Sequence, residues 1–297
     1  MDSAVVPSKT HHMKFDGPPM EFEGIYESRK SLVWFADKPY IPWPALQLLQ
    51  QYSGYDPAEV PEALIKLRDA AWETFPWPCI GQFDFLEFTL ATQNHLYPRL
   101  LTRLQSGAKL LDIGCCLGQD IRKLIFDGAP AANLAGAELR QGFIDVGFDL
   151  FRDREKLGSH FRQANVLDDV SVAPWPELQG QFDIVNSTMV LHAFTWEESV
   201  EFLVRSIQML KVDEMGTTVM GFATGSEAEE VWRIDGRLIP SHNEESFRRL
   251  VEEVEGKTGT KWEVRVELDA YLSVHNPRYG YLKPTARRIL WEMTRVG

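Results

Sequence analysis

From residue 109 onward, short runs of branched and apolar residues alternate with amphipathic stretches, and this alternation constrains the fold more than any other feature. The runs are "KLLDIG", "LAGAEL", "FRQANVL", "FDIVNSTM" and "TTVMGFAT". Between them, Ile144, Phe148 and Phe151 fall at i, i+4 and i+7, one face of a helix. "TWEESVEFLVRSIQMLK" opens with Thr195 and Glu198 at capping-box spacing, and "SHNEESFRRLVEEVEG" shows the same spacing at Ser241 and Glu244. Strands that alternate with helices predict an α/β fold, a doubly wound, mostly parallel sheet covered on both faces. "WEVRVEL" and "RRILWEMTRV" follow without an intervening helical stripe. They predict an antiparallel pair at the end of that sheet.

The stretch "LLDIGCCLGQD" closes the first of these strands and opens the helix "QDIRKLIFDG". In a doubly wound sheet, ligands bind at the carboxyl ends of the strands. A dinucleotide fingerprint would need glycine at 114, 116 and 119, and the sequence supplies it only at 114. The spacing acid-x-Gly-x-Gly-x-Gly fits better, with Asp112, Gly114 and Gly118 present and Cys116 in place of the middle glycine. A cysteine there restricts the backbone to a conformation open to an L-residue. Glu138 ends the second strand, where a carboxylate can take both hydroxyls of a ribose. Cys115 and Cys116 lack a second Cys or His pair at ligand spacing, so no metal site is expected.

Upstream the pattern differs. Residues 21–104 are rich in Trp, Tyr, Phe and Pro, as in "WFADKPYIPWP" and "AWETFPWPCIGQFDFLEF", with helical stretches "PALQLLQQY" and "PEALIKLRDAAWETF" between the prolines. We expect an N-terminal helical cap over a domain spanning 105–297. Most of its aromatics should serve as packing and some should line an apolar substrate pocket. Residues 1–20 are polar and proline-bearing and are expected to form a flexible arm. The net charge of −12 argues against nucleic acid as a partner. No run approaches the roughly 20 apolar residues of a membrane span. Three cysteines, two of them adjacent, point to a reduced, cytoplasmic setting. The aromatic cap would allow a homodimer.

"LLDIGCCLGQD", "AGAEL", "QANVLD" and "FDIVNSTMVLHAF" together resemble the ordered motifs of class I S-adenosylmethionine-dependent methyltransferases. "PWPCIGQFDFLEF" ahead of "DIGCCLGQD" narrows the resemblance to fungal secondary-metabolite methyltransferases, including carboxyl O-methyltransferases of meroterpenoid pathways. The resemblance covers about residues 80–296. It implies a Rossmann-like, seven-stranded sheet with an antiparallel end strand, and S-adenosyl-L-methionine as cofactor. It places Asp112, Gly114, Cys116 and Gly118 beside the methionine part of that cofactor. Glu138 would lie on the ribose and Leu139 beside the adenosine. The Asn165 side-chain amide and the Val166 backbone would meet the adenine, with Asn186 and Ser187 beneath the sulfonium. His192 would face the substrate, while Met189 would be packing.

Two mechanisms follow for an apolar small-molecule acceptor. A carboxylate is already ionised at neutral pH, needs no base and would become a methyl ester. A phenol or an enolisable carbon needs deprotonation, for which His192 is the well-placed candidate. A nucleotide-dependent oxidoreductase and a non-catalytic methyltransferase-like subunit remain as alternatives from other classes.

Overall fold

The computed structural model describes residues 20–22, 35–211, 214–234, 236–280 and 282–297. The expected arm therefore lies outside the described residues except for Met20, which opens a short strand.

Among the described residues, ten strands form two sheets: β1 (Met20–Phe22), β2 (Leu110–Ile113), β3 (Leu134–Glu138), β4 (Phe161–Gln163), β5 (Ile184–Thr188), β6 (Thr218–Ser226), β7 (Glu230–Ile234), β8 (Arg237–Ser241), β9 (Trp262–Asp269) and β10 (Ala286–Arg295). The seven-stranded sheet has the order β4-β3-β2-β5-β6-β10-β9. Neighbours from β4 to β6 pair in parallel. Strand β10 runs antiparallel to both β6 and β9. The predicted antiparallel pair is present, and the chain's last strand slots in one place from the sheet edge.

Side-chain alternation sorts the sheet residues onto two faces. Leu111, Ile113, Val185, Val219 and Ile289 pack against helices Trp196–Met209 and Glu244–Thr258. Leu110, Ile184 and Met220 face the other side, against helices Tyr97–Gln105, Gln119–Phe126 and Gln141–Phe151. The capping box at Thr195 forms: its hydroxyl accepts from the Glu198 N–H at 3.3 Å, and the Glu198 carboxylate takes the Thr195 N–H at 2.9 Å. The second expected box does not. Ser241 still belongs to β8, so the helix starts later, with Asn243 accepting from the Ser246 N–H at 2.9 Å.

Helices Trp43–Gln51 and Val60–Thr74 occupy the stretches expected to be helical. They do not form a separate body. Leu48, Leu64 and Trp72 share one core with Phe143, Val146 and Leu150 of helix Gln141–Phe151. Gly142 permits that approach, because a Cβ there would lie 2.5 Å from the Thr74 hydroxyl. A second fastening joins the β9–β10 connection to the same region. Arg278 pairs with Asp84 at 2.7 Å, pairs with Glu87, and donates to the Gln82 carbonyl at 2.8 Å. Most of the aromatics expected to pack do so, among them Phe83, Phe85 and Phe88, whereas Tyr40 and Trp43 are exposed.

The small sheet, β1-β7-β8, was not expected. The Asp-Gly pair at 235–236 is a hairpin signal in the sequence. The hairpin lies across the segment that carries His192, since β8 and the 3-10 turn Leu191–Ala193 are in contact.

Candidate active site

Chain order departs from β2 in two directions, through β3 and β4 on one side and through β5 and β6 on the other. The crevice between the carboxyl ends of β2 and β5 is therefore the switch point of the sheet, where ligands bind in such folds.

Register sets the polar groups at its base. Asp112 and Asn186 stand opposite one another across β2 and β5, and the Asn186 amide donates to the Asp112 carboxylate at 2.8 Å. Both are buried. Burial pushes the Asp112 carboxyl well above the usual range, the nearby acids Asp120 and Glu138 push it further, and the Asn186 bond opposes the rise. Ser187 is fully buried, and its hydroxyl donates to the Ile113 carbonyl at 3.1 Å. That bond fastens β5 to β2. Its one hydroxyl proton is thereby committed to the sheet.

The loop after β2 is shaped by left-handed residues. Gly114, Cys116 and Gly118 have φ of 75°, 53° and 67°. Cys116 thus occupies the narrow left-handed region that costs an L-residue roughly 1–2 kcal/mol. Its N–H donates to the Glu138 carboxylate at 3.0 Å, which offsets part of that strain. The glycines make room for protein atoms: a Cβ at Gly114 would lie 2.3 Å from the Val190 side chain, and one at Gly118 would lie 2.5 Å from the Arg122 guanidinium and from the Phe161 ring.

Glu138, at the end of β3, uses its other oxygen to accept the Arg140 N–H at 3.0 Å. Burial raises its pKa, and these backbone bonds hold it down in part. Each oxygen keeps lone-pair capacity for a further donor such as a ribose hydroxyl. The Arg140 guanidinium, in turn, stacks 4.1 Å from the Phe75 ring and 5.8 Å from that of Trp77. The aromatic cap is thus brought onto the segment that carries Glu138. Leu139 beside it is exposed, and Val166 is buried. Asn165 closes its own turn, with its amide donating to Asp168 at 3.0 Å and its side-chain oxygen accepting the Leu167 N–H at 3.1 Å. The second amide N–H is the one left for the expected adenine contact.

His192 follows β5, partly enclosed, and burial pushes its pKa down to about 4. Sequence reasoning missed three features here. Asp120 is buried on the first turn of helix Gln119–Phe126, and burial raises its carboxyl to about 7. Arg122 fills the space behind Gly118. Met189 takes φ 57° at the end of β5, a second strained non-glycine beside the crevice. The "QD" that ends the loop motif carried the signal for Asp120.

Four buried polar atoms in these segments make no hydrogen bond: Gln119 Oε1, Asp120 Oδ1, Asn186 Oδ1 and His192 Nδ1. Buried polar groups are ordinarily satisfied. Three of the four are acceptors, and three carboxyls (Asp112, Asp120 and Glu138) stand near them. This donor-poor, acid-rich crevice fits a ligand that brings positive charge and N–H or O–H donors. S-adenosylmethionine, with its sulfonium, ammonium and ribose hydroxyls, is such a group, and a pyrophosphate is not. Among the described residues, no His, Cys, Asp and Glu side chains gather as a metal site.

Comparison with known proteins agrees. Residues 34–86 match the family model described as the meroterpenoid methyltransferase N-terminal domain. The O-methyltransferase atr3 of Stereocaulon alpinum is 37% identical over 257 residues, which cover 85% of this chain and 73% of that protein. The O-methyltransferase phiE of a fungal strain is 38% identical over 249 residues, 82% of either chain. The asnovolin E/chermesin D methyltransferase nvfJ of Aspergillus novofumigatus is 35% identical over 222 residues, 73% of this chain and 78% of that one.

Proposed function

The chain belongs to this family of fungal S-adenosylmethionine-dependent methyltransferases, and we infer that its acceptor is a carboxyl group on a large apolar metabolite, a terpenoid or polyketide hybrid, which leaves as a methyl ester. When bound, the cofactor supplies a methyl group already made electrophilic by its sulfonium. The protein's share is to bind and orient. Glu138 would take the ribose hydroxyls and the 114–118 loop would seat the methionine part, while Asp112 with Asn186 closes the base of the crevice. The acceptor oxygen must then be held close to the methyl and in line with it.

The observation that carries the carboxylate reading is the state of His192. A general base works best with a pKa near the operating pH. Burial holds the His192 pKa to about 4, so the ring is neutral and weakly basic at physiological pH. An acceptor that arrives ionised does not need a stronger one. The neutral ring keeps an unpartnered Nδ1, available for a hydrogen bond that orients the acceptor. The aromatic cap, with exposed Tyr40 and Trp43, and a relative named for asnovolin E and chermesin D support a bulky apolar metabolite. Among the described residues, no helix is long and apolar enough to cross a membrane.

Rate against pH for the wild type and His192→Ala tests the reading. A carboxylic acid acceptor predicts a loss of about tenfold in the variant, with no limb between pH 6 and 7 in either protein. A phenol or carbon acceptor predicts a loss of on the order of 10²-fold or more. A wild-type limb near 6.5 that vanishes in the variant would replace the carboxylate with a base-assisted acceptor.

A further inference from the structure

The cofactor loop is gripped from behind by a buried polar chain that starts in the N-terminal helices. The Arg122 side chain is 1% exposed and that of Asp153 2%. Arg122 Nε and Nη2 donate to the two Asp153 oxygens at 2.7 and 2.8 Å. Its Nη1 donates to the Leu117 carbonyl at 2.7 Å and the Gly118 carbonyl at 3.3 Å. The Phe148, Phe151 and Phe161 rings lie 5.3, 4.6 and 4.7 Å from the guanidinium carbon. Asp153 receives one more bond, from the Tyr52 hydroxyl at 2.8 Å. Tyr52 directly follows helix Trp43–Gln51, within the 34–86 region.

Two glycines show that the loop is fitted to this grip. Gly118 leaves the space that the guanidinium fills, and Gly147 lets helix Gln141–Phe151 approach so closely that a Cβ there would lie 2.2 Å from the Leu117 carbonyl oxygen. A planar fork that spans a carboxylate and two carbonyls sets orientation, which a point charge does not. Charges so deeply enclosed tolerate little slack, because an unpaired one would be costly.

We propose that Tyr52, Asp153 and Arg122 are positioning residues for the cofactor loop: docking of the N-terminal helices, through the Tyr52 hydroxyl, fixes the Leu117–Gly118 backbone in the form that receives S-adenosylmethionine. The inference rests on the reading of that loop as the cofactor site. The chain runs from Tyr52 to Asp153 to Arg122 to the loop, and no member needs to touch the ligand.

Calorimetry with S-adenosylhomocysteine on the full chain, run well below each variant's melting temperature, tests it. Tyr52→Phe keeps the ring and removes one hydrogen bond, so its Kd should rise about fivefold. Arg122→Lys keeps the charge and loses the fork, and should weaken binding by more than tenfold. Asp153→Asn combined with Tyr52→Phe should bind no worse than Asp153→Asn alone, since both act through one chain. A lower melting temperature with an unchanged Kd in Tyr52→Phe would reduce the chain to a folding element and overturn the proposal. Failure of the wild type itself to bind S-adenosylhomocysteine would remove the cofactor reading instead.

Discussion

Replacing Glu138 with Gln is the sharpest probe of the crevice. The side chain keeps its size and its place at the end of β3. The two carboxylate oxygens now accept from the Cys116 and Arg140 backbone N–H groups, both at 3.0 Å. An amide offers one oxygen, so its NH2 must face one of those donors. A buried donor left unpaired costs about 1–3 kcal/mol. Part of that returns in the folded protein, because burial already raises the Glu138 pKa and removing the charge ends that desolvation. Melting temperature should therefore change little. Binding has no such compensation. The proposed ribose contact would lose charge-assisted bonds, and Cys116 would lose part of the restraint that holds it at φ 53°. Affinity for S-adenosylhomocysteine should fall by about 1–3 kcal/mol, roughly 5- to 150-fold in Kd. Calorimetry and thermal unfolding on the same preparations read both effects. A Kd within about twofold of the wild type would refute the ribose role and the argument that Glu138 shapes the loop.

Two further perturbations follow. Gly147→Ala would set a Cβ 2.2 Å from the Leu117 carbonyl oxygen, so urea denaturation should show a loss of about 1–3 kcal/mol despite alanine's better helix propensity, and cofactor binding should weaken with it; unchanged stability would mean the loop yields freely. Asp120 has a folded pKa of about 7 against an ordinary 3.8, so the folded state holds its proton longer and this group's contribution to stability falls as pH rises through that interval; Asp120→Asn should raise the melting temperature relative to wild type at pH 8 and not at pH 4, and an equal gain at both would show that the carboxyl is not buried.

The parts legible in the sequence are those set by local pattern. The strand–loop–helix at 110–126 announces itself through an apolar run, glycines at fixed offsets and an amphipathic continuation. The Thr195 box is complete within four residues. The parts that stayed hidden depend on distant partners. Cys116 takes a glycine-like conformation with help from a carboxylate 22 positions away. The helix start moved from Ser241 to Asn243 because β7 claims Ser241 for the hairpin ladder, which local spacing does not reveal. Gly118 read as room for a ligand, and the structure fills that room with Arg122, whose partner Asp153 is 31 positions away and is itself bonded to Tyr52 across a separation of 101 positions. Asn165 and Ser187 matched motif positions, yet their side chains are largely spent within the fold.

The central claim is methyl transfer to a carboxylate. The direct measurement incubates the purified chain with isotopically methyl-labelled S-adenosylmethionine and an apolar terpenoid or polyketide acid, followed by mass spectrometry of the product before and after mild alkali. A carboxylate acceptor predicts a labelled methyl ester that alkali hydrolyses back to the acid with loss of the label. An alkali-stable product labelled on a phenolic oxygen or on carbon, formed while the acid is left untouched, would contradict it.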